Sequence, residues 1–189
     1  MQGLDTKSIC HKDNVILNRN KITQEYAITF QILNDNIKVS SIINLHLYQL
    51  LYELNKDIIE RFEIINLNEN EKCIEYIIIY KQMAGGTSSN YMHIKTELSA
   101  LGEETFEMRS EDVLELEQEL ELELELEQSE RIYSQSSKII FTILNEHAMN
   151  VAVSFRIDDN HDEMPLYVKN EIAKIIKLMF LRLKTAIEY

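Results

Sequence analysis

Asp158, Asp159, Asn160, His161, Asp162 and Glu163 place carboxylate, amide and imidazole groups in one short stretch, the donor types that hold metal ions. A calcium loop of the familiar kind needs a central Gly and a Glu at its twelfth position. This segment has neither. Acids just before a helix also interact well with its positive N-terminal end, and that is the reading adopted for them. The five histidines, at 11, 46, 93, 147 and 161, share no ligand spacing. Cys10 and Cys73 form no C-x-x-C pair; a meeting of Cys10–His11 with Cys73 would give a thiol–imidazole pair, but the spacing does not call for one. No nucleophile, base and orienting group can be nominated together.

Glycine is scarce. Gly3, Gly85, Gly86 and Gly102 are the only four, beside a single proline. Phosphate loops and dinucleotide fingerprints need several glycines at close fixed spacing, and a G-x-S-x-G elbow is absent. No cofactor is therefore expected.

The formal charge of −13 is a local property. Residues 103–130 hold 13 of the 32 acidic residues and one of the 19 basic ones, which leaves the remainder close to neutral. The tract LELEQELELELELEQ at 114–128 separates Leu and Glu on two faces as a strand and scatters Leu all round as a helix. It reads as an acidic low-complexity insertion at about 100–135, disordered and replaceable by a short linker.

The elements around it are clearer. Residues 1–24 read as a polar N-terminal arm. Residues 25–33 alternate as a half-buried strand. Apolar residues from Ile43 through Leu47, Leu50, Leu54 and Ile58 to Phe62 give a helical stripe over 42–62, with Ser40 or Ser41 as cap. Strands follow at 63–67, 73–82 and 91–98. Ile77, Ile78 and Ile79 in succession point to a strand covered on both faces. After the insertion come strands at 138–144 and 150–157, then Pro165 at the first turn of a long helix. The expected fold is α+β, a single largely antiparallel sheet over 25–189 with one central and one long C-terminal helix packed on it.

On the C-terminal helix, Val168, Ile172, Ile175, Ile176, Met179, Leu183, Ala186 and Ile187 project as the core stripe. Leu178 and Leu181 fall on the far side among Lys174, Lys177, Arg182 and Lys184. That second face, Lys177, Leu178, Leu181, Arg182 and Lys184, is the candidate protein-binding surface.

With that helix in place, the C-terminal third resembles the end of the transducer domain of topoisomerase VI B-type subunits. The matching pieces are KIIFTIL at 138–144, DEMP at 162–165 and NEIAKIIKLMFLRLK at 170–184. The D-x-G-x-G strand end and Gly-rich lid of the family's ATP-binding domain are missing. The resemblance implies a short meiotic member without ATPase activity, which binds the topoisomerase-like cleaving subunit and helps form double-strand breaks.

The expectation is thus a nuclear, non-enzymatic interaction subunit whose partners are the cleaving subunit and other recombination proteins. DNA is contacted only through the complex, and neither membrane nor small-molecule substrate is involved. The alternatives are an acidic histone or substrate chaperone built on 103–130, and a small hydrolase with a metal at 158–163.

Overall fold

The computed structural model describes residues 6–81, 90–114, 126, 129–131, 136–157 and 164–189. They build an α+β fold with one large sheet. The strands are β1 (Thr6–Lys12), β2 (Val15–Asn20), β3 (Tyr26–Leu33), β4 (Ile59–Asn68), β5 (Cys73–Tyr80), β6 (Asn90–Ala100), β7 (Thr105–Asp112), β8 (Glu130–Arg131), β9 (Ser137–Asn145) and β10 (Ala148–Phe155). The helices are α1 (Leu47–Leu54) and α2 (Leu166–Glu188). Nine strands run in the order β1-β2-β3-β10-β9-β7-β6-β5-β4, all antiparallel, and β8 adds a two-residue parallel bridge to β6.

One face of this sheet is apolar and covered. On β3, Tyr26, Ile28, Phe30 and Ile32 are buried while Thr29 and Gln31 point the other way, as period two requires. Register then aligns them with β10, Phe30 opposite Val151 and Ile28 opposite Val153, and β9 brings Phe141 beside Val151. The helix α2 closes over β2 and β3, and α1 over the β4 side. Tyr26 stacks on Phe155 at 5.5 Å, and Phe30 meets Phe180 of α2 at 6.2 Å.

Three segments differ from the sequence reading. The polar arm is a hairpin: Asp13 and Asn14, both at positive φ, make the two-residue turn that Asp and Asn tolerate, and Val15 and Leu17 behind it are fully buried. The expected helix over 42–62 shrinks to α1. Asn55, completely buried, donates from its side-chain amide to the Leu51 carbonyl and ends it. The chain beyond turns into β4, where Phe62 packs on Tyr52 and Tyr76. Within the segment read as an insertion, 105–112 is β7, seated between β6 and β9. Replacing 103–130 with a linker would remove that internal strand.

The outer face is covered in one place. Leu126, the one described residue of the tract between Glu115 and Gln128, is buried against Ile77, Ile79 and Tyr91. This explains the three consecutive isoleucines of β5: Ile78 faces the inner core and its neighbours face Leu126. His93 lies in the same layer, 2 % exposed, with Nε2 2.8 Å from Glu75 Oε1. Burial holds this imidazole below its ordinary value of 6.5; the hydrogen bond to Glu75 opposes that shift, and the charge of Arg131 adds to it.

Two consequences are measurable. Truncating Phe141 or Ile28 to Ala should destabilise the protein by about 2–5 kcal/mol in urea unfolding, through lost burial and a residual cavity. Because His93 binds its proton less readily folded than unfolded, its contribution to stability is complete above pH 6.5 and fades as pH falls below that value. His93→Gln should flatten this part of the stability–pH curve.

Candidate functional site

The inner face carries a polar feature inside otherwise apolar packing. Four hydroxyls form a chain under α1: Tyr48 OH to Ser110 Oγ at 3.0 Å, Ser110 to Thr96 Oγ1 at 2.8 Å, and Thr96 to Tyr76 OH at 3.3 Å. Each member arrives by strand register. Thr96 of β6 stands opposite Ser110 of β7 and Ile74 of β5, and Tyr76 follows two residues on along β5. Tyr48 descends from α1 to meet them, its ring 4.9 Å from that of Tyr76. Burial pushes both phenols up from their ordinary value, and Tyr80 nearby to about 12, so all remain donors at neutral pH. Three bonds use three of the chain's four O–H protons. The two phenols also interact with each other, so the four hydroxyls satisfy one another.

Around the chain lie Phe62, Ile74, Ile78, Ile94 and Met108, all apolar. Thr96 and Ser110 are themselves buried. An apolar interior with a few convergent polar groups is the usual composition of a small-molecule site. An open depression of about 380 Å³ also exists, but it lies on the opposite face of the sheet, between Ile16, Thr29, Ile140 and Asn150, and does not reach the hydroxyls.

The seam between α2 and the rest is held at its C-terminal end. Arg182 grips Asp57 with both guanidinium nitrogens, at 2.5 and 2.8 Å, and also donates to Asn55 Oδ1 at 3.0 Å. That guanidinium keeps the Asp57 carboxyl below its ordinary value. Asn34 donates to the Ile187 carbonyl, and Glu188 accepts from the Leu33 amide. At the other end, Tyr26 OH donates to Asn170 Oδ1 at 2.9 Å.

These contacts occupy much of the face proposed from the sequence as a protein-binding surface. Lys177 is buried, Arg182 is spent on Asn55 and Asp57 just beyond α1, and Lys184 is paired with Glu188 one turn on. Leu181 packs against the core cluster, and only Leu178 is exposed, at 40 %. The buried stripe of α2 is rotated, running through Ala173, Lys177, Phe180 and Leu183, because the helix is flanked by α1 on one side and by β2 on the other. Among the described residues no group of three His, Cys, Asp or Glu could hold a metal, and 158–163 lies outside them. Cys10 on β1 and Cys73 on β5 are near opposite ends of the strand order and do not form the thiol–imidazole cluster considered above. The hydroxyl chain was missed: its members are scattered from 48 to 110, and hydroxyls that meet across strands leave no spacing signal.

A wide antiparallel sheet curled against one long C-terminal helix is the fold of StAR-related lipid transfer domains. The human StarD13 (DLC2) lipid transfer and protein localization domain superposes with a TM-score of 0.73 at 12% identity, over 97% of this chain and 89% of that one. Human StAR-related lipid transfer protein 5 gives 0.73 at 11% identity, over 98% and 88%. A StAR-related lipid transfer protein from Xanthomonas axonopodis gives 0.62 at 11%, over 95% of both chains. No family model and no curated protein matches the sequence.

This likeness overturns the topoisomerase VI B resemblance. With it fall the meiotic break-forming role, the cleaving-subunit and recombination partners, and the exclusion of a small-molecule ligand. The segments that carried the resemblance are an internal strand (β9) and an amphipathic helix (α2). An apolar strand and a helix with an apolar stripe recur wherever a helix packs on a sheet, so their pattern did not distinguish one α+β fold from another.

The chain of hydroxyls is open to test by stability. Ser110→Ala leaves Tyr48 and Thr96 with one partner fewer in a buried setting and should cost about 1–3 kcal/mol by urea unfolding. Removing the Tyr48 and Thr96 hydroxyls together, as Tyr48→Phe with Thr96→Val, should cost less than the sum of the single changes.

Proposed function

We propose that this protein binds a neutral lipid bearing a hydroxyl or carbonyl group, in the interior between the sheet and its two helices, and carries it without chemical change. The observation behind the reading is the fold's likeness, over almost the whole chain, to domains whose names describe lipid transfer. The site adds the ligand class. The inner face around Tyr48, Tyr76, Thr96 and Ser110 offers hydroxyls and no charged group, and a charged headgroup left unpaired there would be strongly penalised. An oxygen acceptor on the ligand would draw one of these donors from its present partner.

Thr96 and Ser110 are buried, so a ligand reaches them only if the helices covering the sheet, α1 and α2, part from it. The contacts that resist lifting of α2 are concentrated at its C-terminal end, in the Arg182–Asp57–Asn55 group and the Asn34 and Glu188 bonds. The opposite end is held by Tyr26 and Asn170. Exchange would then be limited by the opening of the helix rather than by the fit of the ligand.

Vesicles loaded separately with dehydroergosterol, an NBD-labelled fatty acid or an NBD-labelled phosphatidylcholine provide the test. The protein should extract the sterol, and Tyr48→Phe with Thr96→Val should weaken that extraction by about tenfold, the effect of one lost buried hydrogen bond. Extraction of none of the three would overturn the ligand reading. Preference for a charged probe would overturn the ligand class.

A further inference from the structure

Among the described residues Lys177 is the buried lysine, and the ligand reading does not use it. It is 4 % exposed, and its Nζ lies 3.2 Å from Cys10 Sγ. Among the described residues that sulfur is its hydrogen-bond partner, and no carboxylate pairs with it. A buried lysine normally has a carboxylate beside it. Here it has a thiol.

The juxtaposition is built by the register of the hairpin. From the two-residue turn at Asp13 and Asn14, Lys12 pairs with Val15, His11 with Ile16 and Cys10 with Leu17. Cys10 therefore shares the face of Leu17, which is fully buried beneath α2. The bulge at Ile9 lies beyond this pair, between Cys10 and Ser8. Cys10 itself is half-buried and keeps a path to small solutes. Lys177 reaches it from the middle of α2.

We propose that Cys10 and Lys177 are an oxidation site at which hydrogen peroxide drives a covalent sulfur–nitrogen bond between β1 and α2. In the first step the Cys10 sulfur attacks peroxide; an S–O bond forms, the O–O bond breaks, and water leaves. The sulfur is oxidised by two electrons and the peroxide reduced by two. In the second, the Lys177 amine displaces the sulfenic oxygen, an S–N bond forms and the S–O bond breaks. The departing oxygen takes two protons from the nitrogen and sulfenic groups and leaves as a second water. The linkage is a sulfenamide, and a thiol reductant reverses it by attack at sulfur. Its bearing on ligand exchange rests on the proposed function, because a bond from β1 to mid-helix would fasten α2 to the sheet. The chemistry does not depend on that reading.

The experiment uses the full chain carrying Cys73→Ser, treated with hydrogen peroxide and mapped by peptide mass spectrometry. The expected product is a peptide joining the Cys10 and Lys177 segments, two hydrogens lighter than their sum. Trypsin no longer cuts after Lys177, and dithiothreitol restores both fragments. Lys177→Gln should abolish the product and leave Cys10 as a sulfenic acid that dimedone traps; if that variant does not fold, Lys177→Met takes its place. Dimedone trapping to the same extent with and without Lys177, or oxidation of Cys10 to sulfinic acid with no joined peptide, would overturn the proposal. Sterol transfer by the joined form should fall by about tenfold and recover with reductant. Unchanged transfer by a fully joined sample would overturn the link to helix opening while leaving the covalent chemistry in place, and the vesicle assay on the reduced protein separates both from the ligand reading.

Discussion

Everything in this fold answers to one demand: a nine-stranded sheet with a continuous apolar face must keep that face from water, and two helices do so. Burying a side chain such as Phe or Ile contributes about 1.5–3 kcal/mol, and the inner cluster gathers residues from all the main strands and from α2. The penalty for breaking it at any one point is correspondingly large. Polar groups carried inside are therefore tied up. Asn55 serves both the end of α1 and Arg182, and the four hydroxyls serve one another. Lys177, held by a thiol, stands apart from this pattern.

Under the proposed function, the same demand makes the helix that seals the core the element best suited to move. Its grip on the sheet is largely apolar and non-directional; apart from Lys177 donating to Cys10, its directional contacts among the described residues gather toward the two ends. Apolar surfaces can part and reseat on a ligand of similar character with little net change. Hydrogen bonds at the ends fix where the helix returns.

Much of the architecture was legible from periodicity. The alternation in β3, the β4–β5 and β9–β10 hairpins and the C-terminal helix all follow from apolar spacing within one element. The failures have a common cause. A stripe from Ile43 to Phe62 looked like one helix because i, i+4 spacing continues through a turn at Asn55 and into a strand; the break is made by the buried Asn55, which bonds the Leu51 carbonyl and takes Arg182. β7 was hidden by its acidic neighbours, although Phe106, Met108 and Ser110 alternate correctly. The site was less legible still. Its four hydroxyls come from a helix and three strands, and the Cys10–Lys177 pair joins residues 167 positions apart. Neither leaves a mark in composition.

The strand order has a consequence for how the protein is made. β3 takes β10 as its partner, joining residues 26–33 to residues 148–155. During synthesis the first three strands can pair with one another, but the far side of β3 must wait until most of the chain has emerged. Its apolar face then waits longer still for α2. A ribosome-bound intermediate thus carries an open, hydrophobic strand edge, the feature most prone to intermolecular pairing, and so long a closure is slow. The final step, docking of the last helix, completes both the core and the protection of that early strand.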